Sequence, residues 1–269
     1  MSGAPTPGYV GVAIAALLIG VCAAVVVRQR LGLGRDVLVA SIRVAIQLSV
    51  VGVALVAVFR HGGLPGAFAW IVAMVLLAGR TAGHRARGLP GAMRWATVGV
   101  GAGAALAIAV IFGARVLEAQ PRIVVPIGGM VVSAAMQGAT IALARVRDEA
   151  QTARAEIEAR LALGLPGPVA FAPHARFGMR AALGPAIDQT KVVGLIALPG
   201  TMTGLIIAGI SPLTAVRYQF VVQCMWLCAS SVAALLSARL ATRALFDDAH
   251  RLRPLVPVRP SRWALRRAA

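Results

Sequence analysis

Lysine is almost missing from this sequence: Lys191 is its one example. A phosphate-binding P-loop needs Gly-Lys-Ser/Thr, and Lys191 follows Thr190 instead, so the chain is not a P-loop ATPase. Acidic residues are scarce as well, 9 against 27 basic ones, and charged residues make up 13% of the 269 positions. A soluble domain is about a quarter charged. With 59% hydrophobic residues and a mean hydropathy of +0.81, a soluble fold would have to hide more apolar surface than a domain this size can. Lipid is the solvent that suits this composition. Aromatics stand at 5% and do not interleave with the arginines. The net charge of +18 therefore lacks the stacking platforms of a nucleic-acid binder, and no nucleic-acid partner is expected. Cys22, Cys224 and Cys228 all sit in apolar runs, an odd set without loop cysteines that makes no disulfide framework. Cys224 and Cys228 share a helix face at i,i+4, either as small hydrophobes or as soft-metal ligands. His61, His84, His174 and His250 stand in separate loops without metal-site spacing. No Ser/His/Asp set falls at one membrane depth. No catalytic residue, no metal site and no cofactor are expected in this chain, which is not read as an enzyme.

Long apolar runs are what the sequence has in quantity. Stretches near 9–27, 37–59, 67–79, 95–117, 123–144, 187–210 and 213–240 are long enough, or nearly so, to cross about 30 Å of hydrocarbon as helix; the third is short. The first run has no basic segment before it and is too long for a signal-peptide core, so it reads as a retained span. The expected fold is all-α, a polytopic membrane helix bundle of about seven transmembrane helices. Basic residues set its orientation. They gather in the first loop (Arg28, Arg30, Arg35), the third (Arg80, Arg85, Arg87, Arg94), the fifth (Arg145, Arg147, Arg154, Arg160, Arg176, Arg180) and the tail (Arg243, Arg251, Arg253, Arg259, Arg262, Arg266, Arg267). The alternate loops hold only Arg60, then Arg115 and Arg122, then none. This pattern predicts the N-terminus outside and the C-terminus in the cytoplasm. Residues 1–243 are expected to form the transmembrane domain and 244–269 a basic cytoplasmic tail drawn to anionic lipid headgroups.

One cytoplasmic loop, about 145–185, is long. It begins RVRDEAQTARAEIEARLALG and holds Asp148, Glu149, Glu156 and Glu158. Glu156 and Arg160 stand at i,i+4, while Ile157, Leu161 and Gly164 lie on another arc. The pattern predicts that the fifth span extends into the cytoplasm, breaks at 164–168, and is followed by a short amphipathic stretch over 169–183 that ends at Gly184-Pro185. Such a loop is either a solvated hairpin or a docking surface. Glu158-Ala159 followed by Gly164 has the spacing of the E-A-x-x-x-x-G loop through which ABC-importer membrane subunits engage their ATPases.

Polar residues within the spans are costly and mark candidate function. Arg43 and Gln47 are one turn apart in the second span; arginine can snorkel, glutamine less easily. Ser133, Gln137 and Thr140 form a stripe along the fifth span that faces either a pathway or a neighbouring helix. Asp188 and Lys191 stand at i,i+3, either as a structural ion pair or as a charge pair for gradient-driven transport. Beyond them LPGTMTG, residues 198–204, places Pro199 and Gly200 mid-span. Proline removes a helical hydrogen bond. The freed carbonyls with Thr201, Met202 and Thr203 then either line a substrate route, as broken transporter helices do, or mark a kink. Gly200-x-x-x-Gly204 also permits close packing, as do Gly99, Gly101 and Gly103, which spell GxGxG inside an apolar span.

These residues resemble the membrane subunits of metal-export ABC transporters, the group that contains the bacterial iron-export permease and the plant aluminium-sensitivity permease. The resemblance runs from the second span to the last. It is carried by RVAIQLSVVG (Arg43, Gln47, Gly52), VPIGGMVVSAAM (Pro126, Gly129, Met130, Met136), EIEARLALG (Glu156 to Gly164) and KVVGLIALPGTMTGLIIAGISPLTAVRYQ (Lys191 to Gln219). Two positions depart from the group's usual pattern: Thr201 stands where a methionine is usual, and Ser133-Ala134 where a Gly-Asn pair is usual. The resemblance implies a permease in the cell inner (plasma) membrane, a homodimer, and a separate ATP-binding cassette subunit that hydrolyses ATP. It also implies export of a metal ion or other small solute. On this reading Gln47, Met130, Gln137, Pro199, Gly200, Thr201, Met202 and Thr203 are candidates for the substrate pathway. Glu156, Glu158, Ala159 and Gly164 are candidates for the ATPase-coupling loop, and Arg43, Asp188 and Lys191 are intramembrane charges. The alternatives left by the residues are a gradient-driven secondary transporter or channel, and a membrane scaffold without transport.

Overall fold

The computed structural model describes residues 8–29, 34–196 and 198–255. Arg30, Ala197 and the tail arginines Arg259, Arg262, Arg266 and Arg267 lie outside the described residues. The chain is a polytopic helical membrane bundle. Its order is α1 (Tyr9–Arg28), α2 (Gly34–Ala57), a π-turn (Val58–Gly62), α3 (Gly63–Arg85), α4 (Ala92–Gly113), α5 (Pro121–Thr152), α6 (Arg154–Ala162), α7 (Gly167–Val192), α8 (Gly200–Ile207) and α9 (Pro212–Ala244). Among the described residues there is no strand; Phe246 and Leu252 form an isolated antiparallel bridge. Among the described residues four stretches are long and apolar enough to cross a membrane: Val37–Arg85, Ala92–Gly113, Pro121–Thr152 and Pro212–Ala244; Leu17–Arg28 is a shorter apolar helix.

Two compact units divide the chain. The first is the hairpin α1–α2, whose helices pack on one another. Its apolar side chains, Leu17, Leu18, Leu38, Leu48 and Val53 among them, are exposed, as suits helices solvated by lipid tails. The second unit (Gly63–Ile206 and Ile210–Val258) has a core of α3, α4, α5 and α9 with α7 against α5 and α9. That core is made of small residues: Ala96, Ala104, Ala135, Ala139, Ala229 and Ala233 are buried. A Cβ added to Gly99 or Gly103 on α4 would strike Ser237 or the Ala229 carbonyl on α9. One added to Gly138 on α5 would strike Ser230. Lipid gives no hydrophobic drive between helices, so close backbone approach through small residues supplies the packing. The glycine run of the fourth span thus serves helix contact.

The structure corrects two expected boundaries. α3 spans 23 residues, not the 13 of 67–79; Pro65 falls in its first turn, where its missing N–H costs nothing, and the helix runs on through Arg80 to Arg85. The stretch after Gly164 does not end at Gly184-Pro185. α7 carries both Pro173 and Pro185 inside it and runs to Val192, because each proline forfeits one hydrogen bond without ending a helix packed on its neighbours. The break falls instead after Val192, where Gly194 adopts φ +86°, the left-handed conformation glycine takes past a helix end. The expected sixth span, 187–210, is therefore the end of α7, a non-helical step, and the short α8.

Candidate functional site

The step between α7 and α8 opens two adjoining cavities inside the second unit. One, of about 530 Å³, is lined by Pro126, Met130 and Ser133 of α5, Gln189 of α7, Thr201 of α8, and Gln219, Gln223 and Trp226 of α9. The other, of about 380 Å³, has Thr190, Leu198, Met202, Phe220 and Cys224 in its walls. Val193, Gln219 and Gln223 belong to both. Non-helical backbone at membrane depth is tolerated where it lines such a cavity, and the break supplies the room.

Gln219 stands out chemically. It is 6% exposed, and its Oε1 is buried without a hydrogen-bond partner. A buried amide oxygen left unpaired costs about 1–3 kcal/mol, a penalty that a ligand's donor or cation would remove. Its neighbour one turn on, Gln223, donates from Nε2 to Thr190 Oγ1 at 2.9 Å, and Thr190 donates to the Ala186 carbonyl at 2.9 Å. Thr201 Oγ1 donates to Met130 Sδ at 3.7 Å, a weak bond to a soft acceptor. Among the described residues no charged side chain lines either cavity. Among the described residues no three His, Cys, Asp or Glu side chains group to hold a metal ion.

The pathway candidates separate on this geometry. Met130, Pro199 and Thr201 meet at one cavity, and Met202 lines the other. Gly200 begins α8 and is exposed. Thr203 turns back, giving its hydroxyl to the Pro199 carbonyl at 2.8 Å, so that carbonyl is occupied by the helix itself. Gln137 is exposed and lines neither cavity, while Thr140 donates to the Met136 carbonyl at 2.7 Å; of the expected stripe only Ser133 faces the cavity. Gln47 and Arg43 belong to the first unit, where with Val39, Ile42 and Ile46 they line a shallow recess of about 310 Å³. Asp188 and Lys191 pair at 3.1 Å with both side chains exposed; the cavity takes the intervening Gln189 and Thr190 instead. Gln219 and Gln223 were absent from the expected site. Their signal was available: two glutamines at i,i+4 in an apolar span.

The long loop forms a helical hairpin. α5 passes into α6 at Ala153, and the chain reverses at Gly164, φ +83°. Glu156 pairs with Arg160 at 2.7 Å and Glu158 with Arg154 at 2.8 Å. Ile157 is fully buried, while Glu156, Glu158, Ala159 and Gly164 are exposed. Leu163, at the tip, is 82% exposed. His174 of α7 lies 3.6 Å from both Glu149 of α5 and Glu156 of α6, and its Nε2 is buried without a hydrogen-bond partner. After α9 the chain folds back: the Asp247 carboxylate accepts from the Ala249 and Arg251 amides and pairs with the Arg251 guanidinium at 2.9 Å. His250 Nδ1 accepts from the Gly167 amide at 3.4 Å.

Known proteins are similar to this chain over most of its length. The chain is 40% identical over 232 residues to the UPF0014 membrane protein STAR2 of Oryza sativa subsp. japonica, covering 85% of this chain and 80% of that one. It is 33% identical over 240 residues to the Protein ALUMINUM SENSITIVE 3 of Arabidopsis thaliana, 88% of each. It is 30% identical over 240 residues to the "Probable iron export permease protein FetB" of Escherichia coli (strain K12), 89% of this chain and 93% of that one. No solved structure gives a significant match. The profile of the Uncharacterised protein family (UPF0014) matches residues 9–246, and the chain belongs to that family.

Proposed function

We propose that this chain is the membrane-spanning permease subunit of an ABC transporter that moves a metal ion or other small solute outward through the cavities at the α7–α8 break. The observation that carries this reading is the buried, unpartnered Gln219 Oε1 in a cavity shared by α5, α7, α8 and α9. Such a group is poor for packing and suited to a ligand. The naming of one relative as an iron export permease supports transport and its direction. Because the sole lysine is not in a P-loop, ATP hydrolysis belongs to a separate subunit. The exposed α6 hairpin, with Glu158, Leu163 and Gly164, is the proposed contact for it. About seven spans, the N-terminus outside, the C-terminus in the cytoplasm and a permease homodimer complete the proposal, in the inner (plasma) membrane. A metal passing these walls meets amide and hydroxyl oxygens, which are hard donors, and the soft thioethers of Met130 and Met202, with no carboxylate among them.

The test is a pull-down of the tagged protein from its own host in mild detergent, with mass spectrometry of what accompanies it. Recovery of a P-loop ATPase, lost in Glu158→Lys or Gly164→Pro, is the expected result. An intact, monodisperse protein that brings none contradicts the ABC reading and moves the weight to a gradient-driven carrier, which would transport alone in liposomes without ATP.

A further inference from the structure

A second site lies away from the transport cavities, between the first half of α7 and the last turns of α9. It is a groove of about 450 Å³ with Ala172 and Met179 of α7 and Leu235 of α9 among its apolar walls, and with Arg176, Arg239 and Arg243 at its rim. All three arginines are exposed, and among the described residues none joins an ion pair. The carboxylate next along the chain, Asp247, is held by Arg251. Glu149, on α5, faces His174.

The level of this groove in the membrane follows from α9. Its residues 218–238 contain no charge, between Arg217 and Arg239, and as helix that run is about 32 Å long, close to the ~30 Å of hydrocarbon. Arg239 and Arg243 therefore sit where hydrocarbon gives way to headgroups, and Arg176 joins them from α7. Leu235, 40% exposed, lies one turn deeper, where an acyl chain begins.

We propose that this groove is a binding site for one anionic phospholipid. The arginines hold its phosphate and second negative group as charge-assisted forks, and the glycerol and first acyl carbons lie on Leu235 and Met179. Three cations gathered from two helices over an apolar floor select an anionic lipid over a zwitterionic one. A bound lipid bridges α7, which carries the cavity residues at its far end, to α9.

The experiment is native mass spectrometry of the full chain with phosphatidylglycerol, phosphatidylcholine or inorganic phosphate. Phosphatidylglycerol is expected to remain bound, and the triple variant Arg176→Gln, Arg239→Gln, Arg243→Gln to bind about a hundredfold more weakly, roughly fivefold per arginine. Arg122→Gln, at the opposite end of α5, is expected to bind as the unaltered chain does. Equal retention of phosphatidylcholine, binding of inorganic phosphate as strong as that of the lipid, or full binding by the triple variant overturns the site. Should the triple variant misfold, photoactivatable phosphatidylglycerol on the unaltered chain decides. Cross-links in peptides covering 168–179 and 235–243 support the groove, and cross-links only elsewhere refute it.

Discussion

Gln219 is a residue whose replacement should separate folding from function. Its amide oxygen has no partner in the folded chain, so Gln219→Leu removes a desolvation cost and keeps nearly the same volume. Stability is expected to stay within about 1 kcal/mol or to rise, read as the melting temperature in detergent, while solute transport is lost; a marked drop in melting temperature would assign Gln219 to packing. Gly103 is the opposite case. A side chain there runs into the Ala229 carbonyl and Ala233 of α9, so Gly103→Val is expected to cost about 1–3 kcal/mol or more, lowering the melting temperature, and an unchanged value would contradict the close α4–α9 contact. At this scale the sequence was partly legible. Pro199, Thr201 and Met202 were singled out from the polar break and Met130 from the family resemblance, and all four line the cavities. Gln137 does not line them, because intramembrane polarity marks a residue as costly without saying which face of the helix it occupies. Proline and glycine mark the break in the sequence, while the buried amide of Gln219 comes from α9, the helix that faces the break.

Among the elements, α7 and the segment after α9 show where local signals yield to packing. Gly184-Pro185 reads as a helix stop in isolation, yet α7 continues because Ala182 and Ala186 are buried and contact with α5 and α9 outweighs one missing hydrogen bond. The helical character of the loop beginning at Arg145 and its reversal at Gly164 were legible, since paired charges at i,i+4 and a Gly-Leu-Pro-Gly run are local. With φ +83° and open space around its Cα, Gly164→Ala is expected to cost about 1–2 kcal/mol through backbone strain alone, and Gly164→Asn less, because asparagine tolerates that conformation. Equal melting temperatures for the two variants would contradict a left-handed turn there. The fold-back after α9 responds to pH. The Arg251 amide, then its guanidinium and the Ala249 amide, hold the Asp247 carboxyl below its ordinary value of 3.8. A lowered value in the folded state stabilises the fold-back above the ordinary carboxylate value and is lost as pH falls through the lowered one. The Arg253 amide, bonded to the Leu245 carbonyl at 2.8 Å, should therefore stay protected from exchange at neutral pH and lose protection only below that range. Asp247→Asn is expected to release it at neutral pH, and protection that is the same in both would rule the carboxylate out as the clip.

For the whole molecule, composition alone led to a polytopic helical membrane protein, because a hydrophobic fraction of 59% leaves no other solvent. The cavity was not legible at that scale, since it depends on which faces of α5, α7, α8 and α9 converge, and that is set by small-residue contacts far apart in the chain. The central proposal is that solute passes Gln219, driven by ATP hydrolysed on a partner. The most direct test is solute movement in proteoliposomes holding this chain with the ATP-hydrolysing subunit proposed for it, with Gln219→Leu beside the unaltered protein. ATP-dependent movement by the unaltered chain, abolished in Gln219→Leu while ATP hydrolysis persists, is the predicted result. Movement without ATP, or undiminished movement in Gln219→Leu, would contradict the account.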